Sequence, residues 1–377
     1  MHARNAMPAA PLQGQHLRRP SAQRLAVAVA TLVTALGVTL GLLSTPAHAA
    51  EPDTRGLFGQ QDPTYDGVYR QSASILGLAA VGITAPRPAV TWLLRQQCDD
   101  GSFTGYRLDP TQACPEPDLV SYTGPDTNST SMAIMALRAL SARYSGSARD
   151  AQRKTVVKAA AQRAATWLTR QQLSDGGWQW ISGLGADATS TSMSLAAIGR
   201  KGTPPSRRGS TWLRSVMSIE SDCGVAFKPG GLVDPLSTSW ALIGAEGALP
   251  YARHSGPRTL APCSGMQPGV LAAGNWLAAA LIDGEGQIPS PYSPDETDWN
   301  STALSTLGLS QSHGSTGAFR LGLAALEGNV LAYAGSDAGD IPAALGTLLM
   351  VAHAANADPR DFGGINLPAR LLATVQK

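Results

Sequence analysis

Charge is scarce in this 377-residue chain. Asp, Glu, Lys and Arg make up 15% of it, and Ala188 to Gly199, Pro235 to Ala245 and Trp299 to Leu309 contain none. A helix that is apolar or small on every side has to be buried on every side. Cysteine is limited to positions 98, 114, 223 and 263, with no Cys-x-x-Cys or His-x-x-x-His spacing, so nothing in the sequence supports a zinc site. A basic stripe is missing as well. The formal charge is +2, yet Arg4, Arg18, Arg19 and Arg24 lie in residues 1–49, which hold no acid. Subtracting those four from 29 leaves 25 basic against 27 acidic residues, about −2, which argues against a nucleic-acid partner.

The leader has its own pattern. Arg18, Arg19 and Arg24 precede an uncharged apolar run, Leu25 to Leu43, and Ala47-His48-Ala49 supplies a small-x-small cleavage site. Export with removal of residues 1–49 is the expectation, giving a secreted or extracytoplasmic protein whose only membrane contact would be through an uncleaved leader. All four cysteines fall in loops of the exported part, as disulfides of an oxidising compartment would. Cys98 with Cys114 is the easy pair; Cys223 and Cys263 lie on either side of one uncharged helix, so their pairing requires the long Pro250 to Pro268 loop to fold back and stays open.

One sentence is written four times in the rest. An apolar Trp-Leu helix end (Trp92, Trp167, Trp212, Trp276) leads into a Gly-rich turn, then into an Asp followed three residues later by Ser and Thr (Asp126, Asp187, Asp234, Asp298). Repetition at about 45 to 75 residues marks stacked helix pairs with insertions in their loops. Degenerate copies flank the four: Asp66 to Ala80 before, Gly317 to Gly328 with Asp337 to Ala355 after, and finally Leu367 to Gln376. The uncharged helices suit an inner layer and the Trp-Leu helices, with Arg95, Arg163, Arg170 and Arg214, an outer one. Six of each give an all-α, (α/α)6 toroid over residues 66–377, preceded by an extension at 50–65. Each repeated Asp sits where an N-cap belongs, and in Asp234-Pro235 it directly precedes a Pro at the first helical position. If the inner helices run the same way, their N-termini share one mouth, suited to an anionic group unless the caps use its donors.

Gln96-Gln97-Cys98-Asp99-Asp100-Gly101-Ser102-Phe103 and Arg170-Gln171-Gln172-Leu173-Ser174-Asp175-Gly176-Gly177-Trp178 resemble the Gln-Trp repeats of squalene and hopene cyclases. The resemblance implies the toroid of the terpenoid cyclase and protein prenyltransferase superfamily. Against the Asp-x-Asp-Asp-Thr-Ala motif of its class II cyclases, this chain has Asp298-Trp299-Asn300-Ser301-Thr302-Ala303, with an amide where the proton donor stands. Prenyltransferases hold zinc with Asp, Cys and His, but His254, His313 and His353 have no such context. The thioester sequence of complement-like toroids is absent too.

The helices from Asn128 to Leu137 and Thr191 to Ala196 are similar to those of intrinsic-factor and transcobalamin-type carriers, which are secreted and disulfide-linked. That resemblance implies a binder of a small amphipathic ligand such as a corrinoid, with no catalytic residue, no metal and no required cofactor, and with a separate β-domain or a transporter as partner. Tyr69, Asn128, Trp240, Asp298, Trp299 and Asn300 are the expected ligand-binding residues. Met132, Met135 and Met193 are candidate lumen lining. The alternative is an enzyme on the same ring, a cyclase or prenyltransferase relative, or a polysaccharide hydrolase or lyase using Asp99, Asp100, Asp175, Asp295 and Glu296.

Overall fold

The computed structural model describes residues 54–199, 202–217, 223–256 and 269–377; the leader and Cys263 lie outside them. The chain runs through α1 (Gly67–Ala80), α2 (Arg87–Arg95), α3 (Thr127–Arg143), α4 (Ala148–Arg170), α5 (Ala188–Ile198) and α6 (Pro204–Ser215). It continues with α7 (Pro235–Glu246), α8 (Val270–Asp283), α9 (Trp299–Ser312), α10 (Thr316–Gly328), α11 (Val330–Ala334), α12 (Pro342–Ala355) and α13 (Leu367–Ala373). Helices α1, α3, α5, α7, α9 and α12 pack side by side in that order, and α12 returns to α1. They form the closed inner ring. The outer layer is α2, α4, α6, α8, α10 and α13, each packed on the inner helix that precedes it. No sheet forms among the described residues, only isolated bridges.

The Asp-x-x-Ser-Thr motif explains how each inner helix starts. The carboxylates of Asp126, Asp187 and Asp234 accept the backbone N–H of Ser129, Ser190 and Ser237 at 2.7 Å, and Asp298 that of Ser301 at 2.9 Å. These are N-caps. The following threonine reaches the opposite way. The hydroxyls of Thr130, Thr191, Thr238 and Thr302 each accept, at 2.9 Å, the N–H of the residue that ends the preceding Gly-rich turn: Phe103, Trp178, Val225 and Ile288. A buried N–H left without a partner costs about 1–3 kcal/mol, so this clamp fixes the turn on the helix.

The Gln of the repeat ties turn to wall. The Gln97 amide donates to Gly101 O at 3.0 Å and to Ala160 O of α4 at 2.9 Å. Gln172 does the same with Gly176 O and Pro205 O, at 2.7 and 2.9 Å. Tryptophans of the outer helices lie on the turn backbones, where a Cβ on Gly177 or Gly224 would come within 2.9 Å of Trp212 or Trp276.

Inner helices touch at equally regular points. A Cβ on Gly244 of α7 would meet Ser192 O of α5 at 2.5 Å, and one on Gly77 of α1 would meet Gly346 O of α12 at 2.3 Å. Glycine there allows backbone contact. Thr127 N donates to Trp180 O ahead of α5, and Ala188 N to Phe227 O ahead of α7, both at 2.9 Å. Neighbouring N-termini therefore lie at the same end, and the inner helices are parallel.

The ring closes through a turn split between the two ends of the chain. Internally, Cys98 N donates to Ser102 O at 2.9 Å and Gly101 N to Cys98 O at 3.0 Å. At the seam, Gln376 N donates to Leu57 O and Gly56 N to Gln376 O, both at 2.9 Å, and Phe58 pairs with Val375. Gly56 has the same positive φ as Gly101, +92° against +96°. Gln71 of α1 replaces both threonine and glutamine here. Its oxygen accepts Phe58 N, and its amide donates to Gly56 O and Ala89 O, all at 2.9 Å. Residues from Thr54 onward, set apart in the sequence as an extension, are thus part of the closure.

Two helix starts differ from the sequence reading. The last inner helix begins at Pro342 rather than near Asp337, because Pro342 takes the first helical position and Asp340 turns away to pair with Arg370. Short α11 fills the gap. Asp66 makes no capping bond and pairs with Arg70 at 3.3 Å, so α1 is registered one residue later than its neighbours, as Gln71 and Gly77 show. The Cys98–Cys114 disulfide is formed, with Cα atoms 5.7 Å apart, and Cys223 is disulfide-bonded as well.

Candidate functional site

At about 100° per residue, the clamp threonine, fourth after the cap, points outward, and the fifth and tenth positions touch the neighbouring helices. The second, sixth and ninth positions then face the ring axis. The second-position residues are Tyr69, Asn128, Thr189, Leu236, Asn300 and Ala343; five are half-buried and Asn300 is exposed. They form the floor of the mouth at the inner-helix N-termini. One turn deeper lie Ala73, Met132, Met193, Trp240, Leu304 and Thr347, none more than 7% exposed. The ninth-position residues, among them Met135 and Leu307, are buried too. The axis is filled by the protein's own side chains from its second layer down.

This places the expected site residues at three levels. Tyr69, Asn128 and Asn300 share the floor. Trp240 lies beneath it at 3% exposure, packed in the plug with Met132 and Met193. Trp299 is half-buried against the core beside the floor, and Asp298 is committed to its helix, accepting Ser301 N at 2.9 Å and Ser301 Oγ at 2.6 Å. Thr189, Leu236 and Ala343 complete the floor and are identified only by register.

Tyr333 of α11 is an addition the sequence did not suggest. Its hydroxyl donates to Asn300 Oδ1 at 3.2 Å. Burial pushes this phenol well above the ordinary tyrosine range, the Thr347 hydroxyl opposes that, and Tyr69 and Asp298 lie close by. Tyr69 is pushed up to about 12 by burial. Tyr333 therefore leans over the edge of the floor at Asn300, near Tyr69 and Thr347. No repeat signal marks α11, which lies outside the repeated motif.

The donors an anion would need are already engaged. Thr127 N is held by Trp180 O, and Ser129 N by the Asp126 carboxylate. Burial raises Asp126 and Asp187 to about 6, against the pull of the Ser129 and Ser190 bonds, and raises Asp234 in the same direction. The loop acids proposed for catalysis do not converge on one point. Asp100 accepts Ser102 N at 2.9 Å and Asp175 accepts Gly177 N at 3.0 Å, each closing its own turn. Asp295 and Glu296 are exposed in another connection. Asp175 also accepts the Trp212 indole N–H at 3.1 Å.

The opposite mouth is crossed by residues 249–256. Gln311 donates to Leu249 O at 2.8 Å, Ser310 to Ala252 O at 3.0 Å, and His254 N to Ala354 O at 2.9 Å. The three histidines of the described residues meet this strap: His254 stacks on Phe319 at 4.5 Å, His313 bonds Ser255 at 2.8 Å, and His353 meets Tyr251 edge-on at 5.6 Å. Two surface clefts, of about 290 and 360 Å3, lie between inner and outer helices; Arg138, Thr166, Arg170 and Ile198 line the first, and Arg207, Ser210, Arg214 and Gly247 the second. No group of His, Cys, Asp and Glu among the described residues is arranged to hold a metal ion.

These features define an (α/α)6 toroid with a filled axis and one shallow mouth, the fold implied by the Gln-Trp turns. No protein-family model and no curated protein sequence matches the chain. Solved structures do. A protein from Actinoplanes is 17% identical, with 87% of this chain and 96% of that one covered at a TM-score of 0.46. The type II terpene cyclase MstE from Scytonema, in a variant complexed with its substrate geranylgeranyl dihydroxybenzoate, is 13% identical over 86% and 93% at 0.48. A glycosidase is 14% identical over 82% and 92% at 0.44. These likenesses are of fold and bring no ligand or reaction with them.

Proposed function

We propose that the protein is an exported, non-catalytic toroid that holds a small amphipathic ligand on the floor of its N-terminal mouth. The observation that carries this reading is the change between layers: the six floor residues keep partial exposure, five half-buried and Asn300 exposed, while the layer beneath is sealed. A ligand therefore sits across the mouth, with polar groups on Asn128, Asn300 and Tyr69 and apolar surface on Leu236 and Ala343. Such a mixed, concave surface is the usual form of a small-molecule site. Asn300 stands where the class II cyclase motif has its proton donor, and an amide cannot perform that step. Export is supported by the leader's pattern and by the Cys98–Cys114 disulfide. No described helix is long and apolar enough to cross a membrane.

A corrinoid is the first ligand to test, as cargo. The floor fits it in kind, since two side-chain amides and a phenol on an apolar base match a macrocycle edged with amides. Native mass spectrometry and absorbance titration with cobalamin and cobinamide read it directly. Stoichiometric binding, lost when Asn128, Trp299 and Asn300 are all replaced by Ala, is expected. Binding that survives the triple replacement refutes the site.

A further inference from the structure

Twelve large apolar side chains are exposed among the described residues, and only Val156, Ile282, Leu321 and Leu372 sit on outer helices. The other eight all lie in the connections that lead into inner helices, and so surround one mouth. Val120 and Leu232 are 92% and 93% exposed, and Tyr65, Leu108 and Tyr292 more than half. Single exposed apolar residues are ordinary, but their concentration at one end marks an interaction surface.

The hairpin that presents Val120 is held in place. Asp118 and Thr123 exchange backbone bonds at 2.9 and 3.2 Å, and the Asp118 side chain accepts Val120 N at 2.8 Å. The next aromatic, Tyr122, stacks on Trp180 of the neighbouring connection at 5.8 Å. The Cys98–Cys114 disulfide ties the base. Ordering these tips before contact lowers the entropic cost of docking.

Charge decides what docks. Among the described residues the same connections carry Asp62, Asp109, Glu116, Asp118, Asp295 and Glu296, against two exposed cations, Arg55 and Lys228, the second of which donates to Leu184 O at 2.9 Å. Hydrogen bonds from Thr64, Thr111 and Ser121 hold Asp62, Asp109 and Asp118 below the usual carboxylate range, so they stay ionised in mildly acid conditions. An anionic bilayer meets repulsion at such a rim. So does a second copy presenting the same face, as a two-fold dimer would. A positively charged surface with apolar side chains is complementary on both counts.

We propose that this rim is a docking surface for a basic, amphipathic segment of a protein partner, seated with its apolar side chains on Val120, Leu232 and Tyr292 and its Lys or Arg among the carboxylates. The proposal is independent of the small-ligand reading, because it rests on loop tips rather than on the floor.

The test uses a fluorescein-labelled amphipathic helical peptide of Leu and Lys, with the matching Leu and Glu peptide and phosphatidylglycerol-containing vesicles as alternatives. Fluorescence anisotropy should show that the Lys peptide binds and weakens about tenfold as salt rises through the range where the Debye length falls below roughly 10 Å. A Val120→Ser, Leu232→Ser variant and, separately, a Glu116→Gln, Asp295→Asn, Glu296→Gln variant should each lose about tenfold, with unchanged melting. Equal binding of the Glu peptide, affinity kept in both variants, or cosedimentation with the vesicles in place of peptide binding overturns the proposal.

Discussion

The seam between the chain ends gives the sharpest test of the architecture. Deleting residues 374–377 removes four hydrogen bonds across the seam: Gly59 N to Thr374 O, Gly56 N to Gln376 O and Gln376 N to Leu57 O, each 2.9 Å, and the Gln376 amide to Gly59 O at 2.6 Å. At about 1 kcal/mol net each, that is about 4 kcal/mol. Leu57 and Phe58, both 0% exposed, also lose part of their cover, which brings the loss to on the order of 5 kcal/mol. At about 2 °C per kcal/mol for a domain of this size, the melting temperature should fall by about 10 °C. Differential scanning calorimetry measures it. A circular permutant that joins residue 377 to residue 54 through a short flexible linker and opens at the exposed Gly230 should keep the seam and melt near the parent. A truncated protein that melts within about 2 °C of the intact one refutes the idea that the split turn closes the ring.

Two further outcomes follow from the filled axis and the strap. Trp240→Ala should cost about 3–5 kcal/mol in chemical denaturation and open a cavity beneath the floor, whereas a loss below about 1 kcal/mol shows that Trp240 does not plug the axis. His254 and His353 are held below the ordinary histidine value chiefly by burial, with His313 and Arg320 adding to this at the first and Arg253 at the second. The unfolded chain then binds protons more readily than the folded one, so their contribution is full above about pH 6.5 and declines as pH falls through and below it. Asp126 and Asp187 act in the opposite sense: their folded values of about 6 exceed an unfolded value of about 3.9, so falling pH between those values relieves their burial. His254→Gln should therefore lose less stability than the parent between about pH 7.5 and 5.5, and an identical loss in both proteins refutes the role given to His254.

Much of the fold was legible because the repeat states its own local physics. An Asp ahead of Ser-Thr caps a helix whatever surrounds it, and an uncharged helix has to be an inner one, so Asp126, Asp187, Asp234 and Asp298 and their helices fall where expected. The degenerate copies were harder to read. Gln71 does the work of two repeat residues only because Phe58 and Ala89 are brought to it, and α12 starts without an Asp cap. Asn128, Asn300 and Tyr69 come from different helices, yet a common register puts them on one floor. The same register sinks Trp240 one turn lower, although it reads in sequence as another available aromatic.

The sequence by itself determined the class of fold, the starts of four inner helices, the Cys98–Cys114 pairing and the division into inner and outer layers, since capping, loop closure over a short separation and the burial of uncharged surface are local or compositional effects. Tertiary structure alone decided that the axis is filled, that Tyr333 leans onto Asn300 and that residues 54–59 find residues 374–376. Those outcomes depend on how six helices share one axis, and a distance across a ring is not encoded in the spacing along the chain.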